Sequence, residues 1–265
     1  MKRSWRLLQA RHPENICNGC AANAMNLLLK NVFTIPTFEN VLSSCVALTK
    51  FVLKRAALLA RFRQHQYHLR HVTTSRKALS IPEQTRWYAS LNCIKSVHHS
   101  RVVLVDLFGE EDILNRMVKK EKFLNLRDTI QRNEFWSQVQ LVITHVSPIQ
   151  HSLGVLERDD CCLSMVYHEV HELMKDPVSK QNSSDDDFLR RIKADILQFV
   201  NERWRFIKTL QVAYLLDATK PVSGFAEDDL RDALEAAVEI ARTLKRQQLA
   251  THTTEQVYDD LVAFV

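Results

Sequence analysis

Apolar residues along most of this chain recur at intervals of three and four, the spacing of one face of an α-helix. The longest such series is Phe38, Val41, Leu42, Cys45, Leu48, Val52, Leu53, Ala56, Leu59 and Ala60. It predicts one long amphipathic helix that starts after Thr34-Ile35-Pro36-Thr37, with Thr37 suited to cap it, and reaches to Leu69. Phe135, Trp136, Val139, Val142, Ile143 and Val146 predict a second helix over 134–156. Pro148 should kink or split it, because proline lacks an N–H and its ring crowds the preceding turn. Two further helices are expected over 188–207 and 225–246. In the latter Leu230, Leu234, Ala237, Ala241 and Leu244 share a stripe, with Glu227, Asp228 and Asp229 at the start and Lys245 and Arg246 at the end. Those charges suit the helix dipole. The run 101–108 (RVVLVDLF) is too short for periodicity to separate strand from helix.

Breaks in the pattern divide the chain. Pro82 ends what precedes it, and Thr85-Arg86-Trp87 then opens a run continued by Ser90, Leu91, Ile94 and Val97. An Arg beside a Trp at a helix start can clamp a neighbouring segment, or it can meet a phosphate and a base. Residues 176–187 (DPVSKQNSSDDD) read as a linker between a helical region, 1–175, and a C-terminal helical region, 188–265. Only 4 Gly and 6 Pro in 265 residues leave few turns, which favours a mainly α fold.

Charge changes the picture more than composition does. Residues 1–82 hold 13 Lys and Arg against Glu14 and Glu39, about +11 by counting; the other 23 bases and 29 acids give the remainder about −6, which sums to the overall +5. No acid lies between Asn40 and Pro82. The polar side of the first long helix carries Lys50, Lys54, Arg55, Arg61, Arg63 and Arg70. Such a surface suits an acidic partner, DNA foremost, and it equally suits attraction to the acidic part of the same chain. No apolar run reaches the roughly 18 residues of a membrane span, and no apolar block follows the basic N-terminus as a signal peptide would require.

Candidate chemistry is sparse. Cys17 and Cys20 have the C-x-x-C spacing of a zinc half-site or redox pair, yet neither partner ligands at matching spacing nor a βαβ context accompany them. They are expected to be buried thiols near a helix start, and the six cysteines to be reduced in an intracellular protein. His65, His68 and His71 lie on a basic face with no carboxylate nearby in sequence. His168-Glu169-Val170-His171-Glu172 is one residue short of the H-E-x-x-H zinc motif, which turns the second His about 100° away. It is expected to be an exposed helix face. No P-loop, nucleotide-binding glycine pattern or nucleophile elbow is present, and no small-molecule substrate is evident.

Several short segments carry a family likeness when taken in order. Gly19-Cys20-Ala21-Ala22-Asn23-Ala24-Met25-Asn26-Leu27-Leu28 is followed by Thr85-Arg86-Trp87, then by Phe135-Trp136 with Ser147-Pro148-Ile149. Met165-Val166-Tyr167 and Arg203-Trp204 come next, ahead of Ala213-Tyr214-Leu215-Leu216-Asp217. Over residues 16–220 this series resembles hAT-superfamily transposases, which have a ribonuclease H-like core interrupted by a large helical insertion. The resemblance implies a helical bundle like that insertion, with a few short strands of the core, in a nuclear protein that binds DNA or pairs with itself or a related transposase. It also marks departures. The family's C-x-x-H motif keeps its Cys at Cys20 but has Asn23 at the His. Two of the family's three metal-binding carboxylates lie upstream of that motif, and residues 1–13 contain no Asp or Glu. Glu202, beside Arg203-Trp204, is the counterpart of the third. The family's zinc-finger domain and C-terminal dimerisation signature are not evident. The implied protein is therefore a truncated, transposase-derived scaffold, without enzymatic activity or cofactor. It would be a DNA binder, a protein-interaction or oligomerisation module, or a mobile-element remnant without function.

Overall fold

The computed structural model describes all residues except 1, 13–18, 69–77, 84–85, 118–119, 177–179, 205–207, 226–227, 247–252 and 265. Among the described residues there are fourteen α-helices and no strand. The first seven are α1 (Lys2–Arg11), α2 (Ala21–Val32), α3 (Pro36–Leu53), α4 (Ala56–His68), α5 (Tyr88–His99), α6 (Arg101–Gly109) and α7 (Glu111–Met117). They are followed by α8 (Glu121–Gln131), α9 (Asn133–Leu156), α10 (Leu163–Lys175), α11 (Asp187–Trp204), α12 (Lys208–Leu215), α13 (Asp229–Arg246) and α14 (Thr254–Phe264). A 3-10 turn occupies Val222–Gly224.

The expected strands are thus absent from the described chain. The ambiguous run 101–108 is helical because its large residues are buried in adjacent pairs, Val103 with Leu104 and Leu107 with Phe108, which a strand's alternation would send to opposite faces. The expected long helix to Leu69 is instead two helices. The break follows from Arg55, whose guanidinium donates to the Phe51 carbonyl at 2.9 Å and lies 3.7 Å from the Phe51 ring centre. One of α3's last carbonyls is satisfied by a side chain there, and the chain turns instead of continuing. The opposite holds at Pro148, where α9 runs unbroken through 24 residues.

The chain forms two compact units that interleave along the sequence. A central unit comprises Asn26–His151 with Gln181–Phe199, and a terminal unit comprises Met1–Met25, Ser152–Lys180 and Val200–Val265. In the central unit α3 packs on α4, α5 and α8, and α6 on α4, α7 and α8. Its centre is hydrocarbon. Phe51, Phe108 and Phe123 meet with ring centres 5.1 to 6.1 Å apart, and Phe38, Leu48, Leu91, Ile94 and Val97 of the same unit are fully buried as well. The part of the expected linker from residue 181 onward is tied down in this unit. Asp185 and Lys193 form a buried ion pair at 2.9 Å, and the Asn182 backbone N–H donates to the same carboxylate oxygen at 2.8 Å.

The terminal unit is built on α10, α12, α13 and α14, each packed on the next. Val212, Leu215, Ala233, Ala236, Ala237 and Leu261 form one buried cluster. Tyr167, Tyr214 and Phe225 form an aromatic group, with ring centres 4.7 to 5.4 Å apart. Gly224 sits so close to it that a Cβ there would lie 2.1 Å from the Tyr214 hydroxyl oxygen.

Candidate nucleic-acid interface

The basic residues read from sequence fall on the elbow between α3 and α4 and at the start of α5, all in the central unit. Lys50 and Lys54 are four residues apart on the last turn and C-cap of α3, so they share a face, and both are exposed. The C-terminal end of a helix dipole is negative and repels phosphate by itself. The two ammonium groups therefore have to supply the attraction at this site.

On α4, Arg63 and Arg61 are both exposed, and Arg61 lies about 200° round the helix from Arg63. Arg61 faces acids. Its Nε is 3.9 Å from Glu110 Oε2 and its Nη2 is 3.7 Å from Asp112 Oδ2. His65, one turn further on, is hydrogen-bonded to Glu110 through Nε2. The basic face therefore does have carboxylates beside it, brought there from α6 and α7 and invisible in the local sequence. Arg55 is half-buried and committed to Phe51. Arg70 and His71 lie outside the described residues.

The Arg86–Trp87 pair splits between two tasks. Thr85 is outside the described residues, and α5 begins at Tyr88 with Trp87 as the preceding residue. Trp87 is half-buried, its ring 6.5 Å from Phe33, and its backbone N–H donates to Asn26 Oδ1 at 3.0 Å. That is a fastening within the central unit. Arg86 is exposed and donates to the Tyr88 hydroxyl at 3.1 Å.

Cys20, Asn23, Arg203 and Trp204 belong to the terminal unit. Cys20 is exposed rather than buried as the sequence suggested, and its Sγ accepts the Asn23 backbone N–H at 3.5 Å, in the position of a helix cap. Its partner in the C-x-x-C spacing, Cys17, is outside the described residues. Arg203 and Trp204 end α11 and are half-buried, and Glu202 is exposed beside them.

The His168–Glu172 stretch also departs from expectation. His171 is 4% exposed and stacks on Tyr167 with ring centres 5.7 Å apart, so this part of α10 faces inward. The reason is tertiary: α12 and the Phe225 segment bring the aromatic group against it. Burial first, and the nearby Lys175 second, push the His171 imidazole below its usual range. Among the described residues no three His, Cys, Asp or Glu side chains are grouped to hold a metal ion.

The thiols of the central unit are chemically quiet. Burial pushes Cys93 up to about 11 and raises Cys45 as well, so both stay protonated at neutral pH. Among the described residues no single helix is long and apolar enough to cross a membrane, and the α2–α3 pair, apolar enough when joined, is bent by 93°. Comparisons with known protein families, curated proteins and solved structures give no match to this chain.

Sequence reasoning found the basic residues but missed what restrains them. Glu110 and Asp112 approach Arg61 across about fifty residues of chain, and no local pattern signals that pairing. Asn26 and Phe33 as the anchor of Trp87 were equally hidden, although Asn26 lies inside the motif around Cys20.

Proposed function

We propose that this chain is a hAT transposase-derived helical protein, akin to that family's insertion, which contacts DNA through its phosphates and carries no strand-cleavage activity. The observation that supports DNA contact most directly is the α3–α4 elbow, where Lys50, Lys54 and Arg63 are exposed in a stretch without acids from residue 40 to 82. Arg86 adds a fourth exposed base at the start of α5. Contacts of this kind neutralise phosphate charge and release counterions, so they favour no base sequence and weaken steeply with salt. The family order of the motifs supports the origin of the scaffold.

Fluorescence anisotropy with a short duplex tests the reading. Binding is expected at low salt, with a linear fall of log K against log salt, and Lys50→Glu with Lys54→Glu should flatten that line by about 0.9 per lost phosphate contact. No binding at low salt would overturn it. Incubation of supercoiled plasmid with magnesium or manganese should leave it intact, and metal-dependent nicking above a mock preparation would overturn the inactive assignment.

A second reading, a protein-interaction or oligomerisation module, is favoured by Val102 and Val105 on α6, which are 46% and 37% exposed on one face. Sedimentation of the protein across concentrations tests it: self-association lost in Val102→Lys would support it, and a strict monomer would count against oligomerisation.

A further inference from the structure

We infer that the acidic corner joining α6 to α7 covers the Arg61 side of α4 and so regulates how many phosphates the elbow can engage; this rests on the DNA reading above. The corner is built by the backbone. Glu110 closes α6, its N–H donating to the Asp106 carbonyl at 3.1 Å, and it opens α7, its own carbonyl accepting the N–H groups of Ile113 and Leu114 at 3.1 and 2.9 Å. With both of its peptide groups fixed, its side chain starts from a fixed backbone, and its carboxylate meets His65 and Arg61 of α4.

Arg61 and His65 are one helical turn apart and point the same way, and Glu110 meets both. Asp112 adds a second carboxylate to Arg61 from the first turn of α7, where the helix dipole favours an acid. Carboxylate and phosphate are competing acceptors for the same guanidinium fork. While the corner is in place, Arg61 is presented to DNA already matched. The Arg61 contacts are long and Asp112 is 72% exposed, so a phosphate can displace it, and the cover weakens binding without abolishing it. Lys50, Lys54 and Arg63 are then the open part of the surface and Arg61 its reserve.

The test compares Glu110→Gln with Asp112→Asn, as a double variant, against Glu111→Gln, which removes one acid from the same corner without touching Arg61. Anisotropy titrations on one duplex over a range of salt concentrations give the slope of log K against log salt. The double variant is expected to bind more tightly and to steepen the slope by about 0.9, one added phosphate contact. Glu111→Gln should leave the slope where it was. Adding Arg61→Gln to the double variant should return the slope to its starting value, which separates release of Arg61 from any loosening of the α4–α6 contact. Equal slopes in all proteins, or an equal change from Glu111→Gln, would overturn the inference while leaving the DNA reading intact. Absence of binding by the wild-type protein and by the double variant alike would remove both.

Discussion

The central and terminal units bury their cores by different means. In the central unit the three rings Phe51, Phe108 and Phe123 carry no polar atom and pack on one another, with the Arg55 guanidinium against Phe51. Attraction there is non-directional and follows the area removed from water. In the terminal unit the Tyr167 ring carries a hydroxyl group with a fixed partner. The Tyr167 hydroxyl donates to Asp229 Oδ2 at 2.6 Å, and close by Ser164 donates to Asp217 Oδ2 at 2.5 Å. Ser164 and the Thr219 side chain together draw the Asp217 carboxyl down to about 2. The first kind of core responds to volume; the second responds to single atoms as well.

Removing bulk from the hydrocarbon core is the strongest way to probe this contrast. Phe108→Ala is expected to lower stability by about 3–5 kcal/mol in a thermal or urea melt, because a fully buried ring is replaced by a cavity. A loss below about 1 kcal/mol would mean that the Phe triad does not form a close-packed centre. Next in size is Ser164→Ala, which removes one of the side-chain donors to Asp217 and should lower the melting temperature by less than Phe108→Ala does, despite deleting one atom. A neutral result would erase the distinction between the two cores.

The smallest expected effect is a pH dependence, and its sign follows from burial. His171 has its folded-state pKa pushed down, so the unfolded chain takes up a proton more readily. Its contribution is complete above the usual His range, about 6.5, and is lost as pH falls below it. His171→Phe should therefore flatten the acid side of a plot of melting temperature against pH. If the slope survives, it belongs to His98 of the central unit, which is pushed the same way by burial, Arg101 and His99.

Helix content was legible because periodicity is local: each of α9, α11 and α13 lies within a few residues of where the apolar spacing placed it. The elbow at Arg55 was not, since it depends on where one guanidinium points. The candidate interface was legible only as a list of bases. Lys50, Lys54 and Arg63 kept the exposed role that the pattern gave them, whereas Arg55 and Arg61 found partners that spacing cannot reveal.

Taken alone, the sequence determined a mainly helical chain with its positive charge in the first third, since both follow from residue type and near-neighbour spacing. Tertiary structure decided which side of each helix meets solvent, and with it the burial of His171 and the fastening of Trp87 to Phe33. It also decided which bases remain open. Charge pairs form across whatever distance folding removes, and Glu110 reaches Arg61 only because α6 packs on α4.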